Sequence, residues 1–363
     1  MKIALFIPSF YKYDAMGNDV LMMYIILKEQ GYDVTIFAQS YDSSIEVNIK
    51  NISEAKSYLE DKNNIAIYHH GVYTSFFDDI INSKCYKIFR YHNITYPELF
   101  AGYDENAVEM CSKGREQMKG KMNAFDYFLS CSEFNNKELL NDFNVDGSKT
   151  QILPPFHRIE EWKNIQENII LKKKLKSGKT INILNVGRLS PNKNHLLLIK
   201  SFSDFIKYYK VNACLHLVGK IGPIKYYNEI LECIKAEDIE NKVILYTDGI
   251  AESNLKTLYK YSDMFIMTSL HEGFCVPIVE AMYFKLPIVS LNSTALNDTV
   301  GKNGVIIDKE MTIEFSSAIW IAQKYKRNLS MIAHNGYSRF SYKKNKSDFL
   351  QIINNIIKNK MSD

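Results

Sequence analysis

Two glutamates, Glu272 and Glu280, flank the turn in His271-Glu272-Gly273-Phe274-Cys275-Val276-Pro277-Ile278-Val279-Glu280-Ala281-Met282. Pro277 suits the first position of a helix, where its missing N–H costs nothing. A helix starting at Val276–Pro277 puts the amides of Phe274, Cys275 and Val276 at its positive end. Such an end is a ready site for an anion, a phosphate in particular. Gly273 lets the backbone come close. A carboxylate accepts two hydrogen bonds from neighbouring hydroxyls, such as those of a sugar or a ribose. A diphosphate held between two polyol binders is the outline of a nucleotide sugar. Glu280 alone would equally suit a surface place in a first helical turn; it is the whole string that points to a ligand.

A second constellation is Asn185-Val186-Gly187-Arg188-Leu189-Ser190-Pro191-Asn192-Lys193-Asn194. Gly187 permits a tight turn. Arg188 and Lys193 bring two cations near one point, the first a fork that matches diphosphate oxygens, the second a point charge. Together they would neutralise a leaving diphosphate as its charge develops. The bland alternative is an exposed loop with two charges.

The string E-G-F-C-V-P-I-V-E-A-M, with its Glu-x7-Glu spacing, resembles the signature of retaining glycosyltransferases of family 4. Gly187-Arg188-Leu189 followed by Lys193 is similar to that family's G-R-L-x-x-x-K stretch. The resemblance implies an α/β protein of GT-B architecture: two Rossmann-like domains facing each other across a deep cleft, with a last helix crossing back to the first. It puts Glu272 on the donor sugar's hydroxyls and Glu280 on the ribose. Gly187, Gly273 and the backbone of Phe274, Cys275 and Val276 would hold the diphosphate. Cys275 stands where the family more often has a small residue or glycine. His216-Leu217-Val218-Gly219-Lys220 is like the family's strand-end glycine segment, and by analogy Ile250, in Tyr246–Ile250, packs beside the nucleobase.

In the first half, Gly17 falls where the family has a glycine-rich loop near the donor diphosphate and the acceptor, although this chain has one glycine there and not a pair. Asn18 or Asp19 would cap the helix that follows. His92, in Arg90-Tyr91-His92-Asn93-Ile94-Thr95, resembles the family's first-domain histidine that approaches the donor sugar. The His-Asn-Ile-Thr string resembles a subset that assembles bacterial polysaccharides. The implied activity is retaining transfer of a sugar from a nucleotide-diphosphate sugar to an acceptor hydroxyl, in lipopolysaccharide, O-antigen or capsule glycan assembly. A diphosphate oxygen would take the acceptor's proton, with His92, Glu272, Arg188 and Lys193 as the catalytic set. A lipid-linked oligosaccharide is the expected acceptor. No D-x-D string occurs, so no metal or other cofactor is expected. A GT-B sugar-nucleotide epimerase and a non-catalytic nucleotide-sugar-binding subunit are the alternatives.

Placing these residues requires a particular order of elements. Apolar runs at 2–7, 33–38, 65–68, 86–91 and 126–130 read as buried parallel strands. A helix over 19–30, ended by Gly31, joins the first two. Ile152-Leu153-Pro154-Pro155 closes a further strand. The lysine-rich stretch before Thr180 reads as a solvated linker. Strands then resume at 181–186, 213–218, 243–246, 264–268, 287–290 and 305–307, separated by helices at 195–210, 225–236, 252–261 and 277–284. The expected division is an acceptor domain over 1–165, a linker over 166–180, a donor domain over 181–335 and a C-terminal helical segment over 336–363, its helix starting near Ser347. In open α/β sheets ligands bind beyond the carboxyl ends of strands, where every candidate above falls. His69 and His70 also follow a strand, and His70 joins the acceptor candidates. On a helix over 105–122, Arg115 shares the face of Val108, Cys111, Met118 and Met122. A charge there is expensive unless it is paired or lines a site, so Arg115 is a candidate acceptor contact. Lys113 and Lys121 point away and Lys119 lies at the edge, as a solvated face or one turned to an anionic inner-membrane surface.

Composition sets the limits. At about 150 residues per domain, 363 residues make roughly two domains, and 46% hydrophobic with 24% charged residues is the balance of an ordinary globular protein. A net charge of +4, with 39 lysines to 6 arginines, argues against nucleic-acid binding. The six cysteines show no C-x-x-C spacing and read as free thiols of a cytoplasmic protein. The longest unbroken apolar run, Val20–Leu27, is far short of a membrane span.

Overall fold

In a computed structural model, which describes residues 1–11 and 14–360, the chain forms two units, each built on its own parallel sheet. Unit 1 comprises residues 1–97, 109–158 and 341 onward; unit 2 comprises 98–108 and 159–340.

The sheet of unit 1 contains β1 (Lys2–Phe10), β2 (Asp33–Tyr41), β3 (Ile49–Asn51), β4 (Ile65–His70), β5 (Tyr86–Tyr91), β6 (Tyr127–Ser130) and β7 (Thr150–Ile152), in the order 3-2-1-4-5-6-7. That of unit 2 contains β8 (Ile181–Val186), β9 (Ala213–Val218), β10 (Val243–Tyr246), β11 (Met264–Met267), β12 (Ile288–Leu291) and β13 (Val305–Ile307), in the order 10-9-8-11-12-13. The strand pairs are parallel, and central strands such as β4 and β11 are buried from end to end. This is why they read as unbroken apolar runs. In each sheet the order reverses once, between β1 and β4 and between β8 and β11. Ligand sites of doubly wound sheets lie beside such a point, beyond the strands' carboxyl ends.

The core of unit 1 joins Ile3, Leu5, Val20, Met23, Ile67 and Ile88 to the last helix, Tyr342–Lys360. That helix buries Phe349, Ile352, Ile353 and Ile356, a stripe at helical spacing, and Phe349 meets Phe156 edge-on at 5.8 Å. It starts at Tyr342, five residues earlier than the cap at Ser347 suggests. The core of unit 2 packs Leu198, Phe202 and Phe205 of the helix His195–Tyr209 and Phe315, Ile319 and Ala322 of the helix Thr312–Lys324 with Leu215, Leu217 and Ile266.

Two boundaries differ from the sequence expectation. Residues 166–180 are not a free linker. They contain the helix Ile169–Lys176, capped by Asn168, whose side chain also donates to Asn254 at 2.7 Å. Leu175 is buried, and the Asn168 amide donates to Thr257 Oγ1 at 2.9 Å. A lysine run reads as solvated, but one buried leucine and one capping asparagine are enough to dock a two-turn helix. Residues 98–108 belong to unit 2, where Tyr103 donates to Glu229 at 2.8 Å and packs edge-on against Tyr226. The helix expected over 105–122 ends at Met118, before Gly120 in the left-handed region. No described helix is long and apolar enough to cross a membrane.

Candidate functional site

The loops that leave β8 and β11 lie on either side of the reversal point of unit 2, and they bring Lys193 and Glu272 together. After β8 the chain turns at Gly187, makes a short 3-10 turn at Pro191–Lys193 and enters the next helix through Asn194 at φ 51°. Thr268 Oγ1 grips this turn from the other loop, donating to the carbonyls of Lys193 and Asn194 at 3.0 and 3.1 Å. Lys193 Nζ lies 2.5 Å from Glu272 Oε1. Ser269 Oγ donates to the same oxygen at 2.8 Å, and the Glu272 amide donates to Thr294 Oγ1 at 2.8 Å. Burial works against the Lys193 charge, but Glu272 outweighs it and keeps the lysine above its ordinary pKa. Arg188 is exposed, and among the described residues it makes no ion pair.

The helix Val276–Tyr283 starts as expected, with Pro277 in its first turn and Cys275 before it. Among the described residues, the amides of Gly273, Phe274, Cys275 and Val276 donate to no protein acceptor. They are open donors at a positive helix end. The turn is held from behind, where Thr299 Oγ1 donates to the Phe274 carbonyl and Phe274 packs edge-on against Phe340. Cys275 sits at φ 81° and ψ 75°, a backbone shape that favours glycine. Ile250 is half-buried in the loop after β10.

Gly219, at the end of β9, has a role that its motif did not convey. A Cβ there would lie 1.9 Å from the Gly187 carbonyl oxygen. Gly219→Ala is therefore expected to push the Gly187–Ser190 loop out of place. It should cost about 1–3 kcal/mol, as overpacking does, and weaken nucleotide binding with it. Urea unfolding and a nucleotide titration of the same variant check both effects.

Glu280 accepts a hydrogen bond from Tyr259 at 2.6 Å. Burial raises its pKa to about 7, and the tyrosine only partly opposes the shift. The folded chain therefore holds a proton on Glu280 that an ordinary glutamate would have lost. This group's contribution to stability falls as pH rises from about 4.5 to about 7. Ligand binding should run the other way, because the ionised carboxylate is the better acceptor for hydroxyls. Affinity for an intact sugar nucleotide is expected to drop from pH 8 to pH 6, and Glu280→Gln should flatten that dependence. Calorimetric titration at the two pH values decides it.

In unit 1 the structure assembles a cluster for which the sequence offered only fragments. Asp19 and Arg90 are both fully buried and pair at 2.9 Å. The Phe156 amide donates to Asp19 Oδ1 at 2.7 Å, and Arg90 Nη1 donates to the Leu153 carbonyl at 2.6 Å. The rings of His69 and His92 stack, with Nδ1 of the first 2.9 Å from Nε2 of the second. His92 Nδ1 lies 3.6 Å from Cys131 Sγ. Burial holds both histidines well below the ordinary pKa. Both ring nitrogens of His92 are thus turned toward protein partners. Asp19 is no cap: Asp14 caps the helix Ala15–Glu29, its side chain accepting from Gly17 N at 2.9 Å. Gly17 sits within that first turn, where a Cβ would come 2.8 Å from the Tyr11 carbonyl oxygen. Asp19, His69 and His92 also place one ligand atom each within 4.8 Å of the others, the spacing of a metal site. The donor set fits an ion poorly, since Arg90 already neutralises the carboxylate and would sit beside any added cation.

Two acceptor candidates are corrected. His70 is fully buried, with Nδ1 2.9 Å from the Tyr68 hydroxyl and Nε2 3.2 Å from the Gly114 carbonyl. Burial lowers its pKa to about 4, so it is a neutral structural residue. Arg115 pairs with buried Glu138 at 2.7 Å, donates to the Ile94 carbonyl at 3.2 Å and lies over the Tyr96 ring. Its charge sits on an apolar face because Glu138 neutralises it there. Lys113, Lys119 and Lys121 are ion-paired with Glu109, Glu116 and Asp78, so that face carries no free basic stripe.

Two doubly wound parallel sheets in succession define the GT-B class of glycosyltransferase folds. The crystal structure of WaaG, a glycosyltransferase involved in lipopolysaccharide biosynthesis, is similar at a TM-score of 0.75 and 12% identity, over 97% of this chain and 99% of that one. Anabaena Alr3699/HepE, solved with UDP-glucose, is similar at a TM-score of 0.76 and 15% identity, over 98% and 100% of the two chains. Such low identities speak for the fold. Residues 166–339 match the family described as glycosyl transferases group 1. An uncharacterized glycosyltransferase of Methanocaldococcus jannaschii is 29% identical over 46% of this chain and 39% of its own length. A Campylobacter jejuni protein named N-acetylgalactosamine-N,N'-diacetylbacillosaminyl-diphospho-undecaprenol 4-alpha-N-acetylgalactosaminyltransferase is 30% identical over 45% and 40%. The matched stretch thus spans well under half the length of these curated relatives.

Proposed function

We propose that this protein is a retaining glycosyltransferase that moves a sugar from a nucleotide-diphosphate sugar to an acceptor hydroxyl during assembly of a lipid-linked glycan. The observation that carries this reading is the meeting of Lys193 and Glu272 beside a helix end with open amides. Anion donors, a cation and an acceptor of sugar hydroxyls converge at the reversal point of one sheet. The open amides of residues 273–276, with Lys193 and exposed Arg188, take the diphosphate and stabilise its charge as the sugar leaves. Glu272 orients the sugar and Glu280 the ribose. Gly187 and Ile250 complete the donor subsite. A diphosphate oxygen accepts the proton of the attacking hydroxyl, so no side-chain nucleophile or metal takes part. The glycan setting draws on relatives whose names refer to a diphospho-undecaprenol-linked acceptor and to O-antigen chain mannosylation.

The test is a turnover assay in EDTA with a panel of sugar nucleotides and polyprenyl-diphosphate-linked sugars, read by release of nucleoside diphosphate and by the anomeric proton of the product. Acceptor-dependent release with retained configuration is expected. An inverted product, or conversion of the donor without acceptor as an epimerase would give, overturns the reading.

A further inference from the structure

The helix Ile169–Lys176 was expected as linker and turns out to carry the most exposed large apolar side chains in its part of unit 2. Ile169 is 68% and Ile170 82% exposed. Leu175 alone of its residues is buried, so the helix is anchored from below while its two isoleucines face out. Lysines follow them along the same helix. Lys172, Lys176 and Lys260 gather over one ring, Tyr261, with Nζ 5.1, 4.9 and 5.7 Å from its centroid. Glu167 neutralises part of this charge through Lys172 and Lys260, and Asp263 pairs with Lys326. Lys173, Lys174, Lys176 and Lys179 are exposed and meet no carboxylate among the described residues. Four uncompensated charges in seven residues equal the formal net charge of the whole chain, +4. Ile169, Lys172, Lys173 and Lys176 also line an open hollow of about 360 Å³.

We infer that this surface docks on an anionic lipid bilayer, with Ile169 and Ile170 entering the headgroup boundary and the lysines spread over acidic headgroups. The pairing of features selects this occupant. Lysines alone would suit any polyanion, and each lysine near an anionic membrane surface adds a factor of about five to binding. Two aliphatic side chains beside a lysine cluster gain nothing from a nucleic acid or an acidic peptide, but they gain from an interface with an apolar side. Lysine stems can lie along that boundary with their ammonium groups in the headgroups. The lysines of the helix Glu105–Met118 offer no such surface, being matched by carboxylates.

The test is co-sedimentation of the full chain with vesicles of phosphatidylcholine alone and of phosphatidylcholine mixed with phosphatidylglycerol. Wild type is expected to pellet with the mixed vesicles, to stay in solution with the neutral ones and to be released by salt. Ile169→Ser with Ile170→Ser, and separately Lys173→Gln with Lys174→Gln and Lys176→Gln, should each weaken binding about tenfold or more. Both variants should keep the wild-type melting temperature and nucleotide affinity, which separates this surface from the donor site. Wild type left in the supernatant with anionic vesicles overturns the inference. So does an isoleucine variant that binds like wild type, since the site would then be a general polyanion patch.

Discussion

Lys193→Ala is expected to lower the rate of sugar transfer by about 10²–10³-fold, the usual loss when one preorganised charge is removed from a developing anion. The lysine is fixed from both ends. Its backbone is held by Thr268 Oγ1, and its Nζ by Glu272 at 2.5 Å. A cation so placed need not reorganise when the diphosphate departs. Alanine removes it and leaves the Glu272 carboxylate, largely buried, facing the same anion. The effect should appear in kcat, with a folded protein by circular dichroism. Glu272→Gln should show a smaller loss, because it keeps the hydroxyl contacts and spares the diphosphate a second negative neighbour. A Lys193→Ala variant within about threefold of wild type would remove the cation from the mechanism, because a lysine that stabilised the departing charge is worth far more.

Asp19→Ala is expected to have the largest effect on stability, about 3–5 kcal/mol, because it leaves a buried arginine unpaired. Arg90 and Asp19 are both fully buried, and each is also tied to backbone, Asp19 to the Phe156 amide and Arg90 to the Leu153 carbonyl. Losing the carboxylate strands the guanidinium and the amide together. Urea unfolding of the variant measures the loss. Adding Arg90→Met should recover most of it, since exchanging a whole buried pair for apolar contacts is often near neutral. If the single variant unfolds at the wild-type midpoint, the pair is not holding unit 1 together.

What could be read from the sequence had a local cause. Glu272, Gly273 and Glu280 lie within one strand–turn–helix, and the proline that starts the helix also marks where its open amides face. Gly187, Arg188 and Lys193 share one loop in the same way. The places of most strands and their alternation with helices followed from apolar runs and glycine stops. What escaped depends on partners distant in the chain. Asp19 lies on the buried face with Met23 and Ile26, the same signal that singled out Arg115, yet only Arg90, 71 residues away, explains it. Both are charges within apolar surroundings, and the pairing could have been suspected on that ground. His70 and His92 each follow a strand, but which way their ring nitrogens turn is set by Tyr68, Gly114, His69 and Cys131. Tyr259, which holds Glu280, comes from a helix that no motif marked. The helix Ile169–Lys176 was hidden by its own lysines.

The central claim is that unit 2 binds a nucleoside diphosphate through the amides of residues 273–276 and a ribose-holding Glu280. The most direct test is calorimetric titration of the folded protein with UDP, GDP, ADP and TDP in EDTA at pH 8, repeated on Glu280→Ala. One base is predicted to bind, with affinity about 10–100-fold weaker in the variant, as for the loss of a charged hydrogen bond worth about 1.5–3 kcal/mol. Binding that ignores the substitution, or no binding by any of the four to a folded wild type, would contradict the site described here.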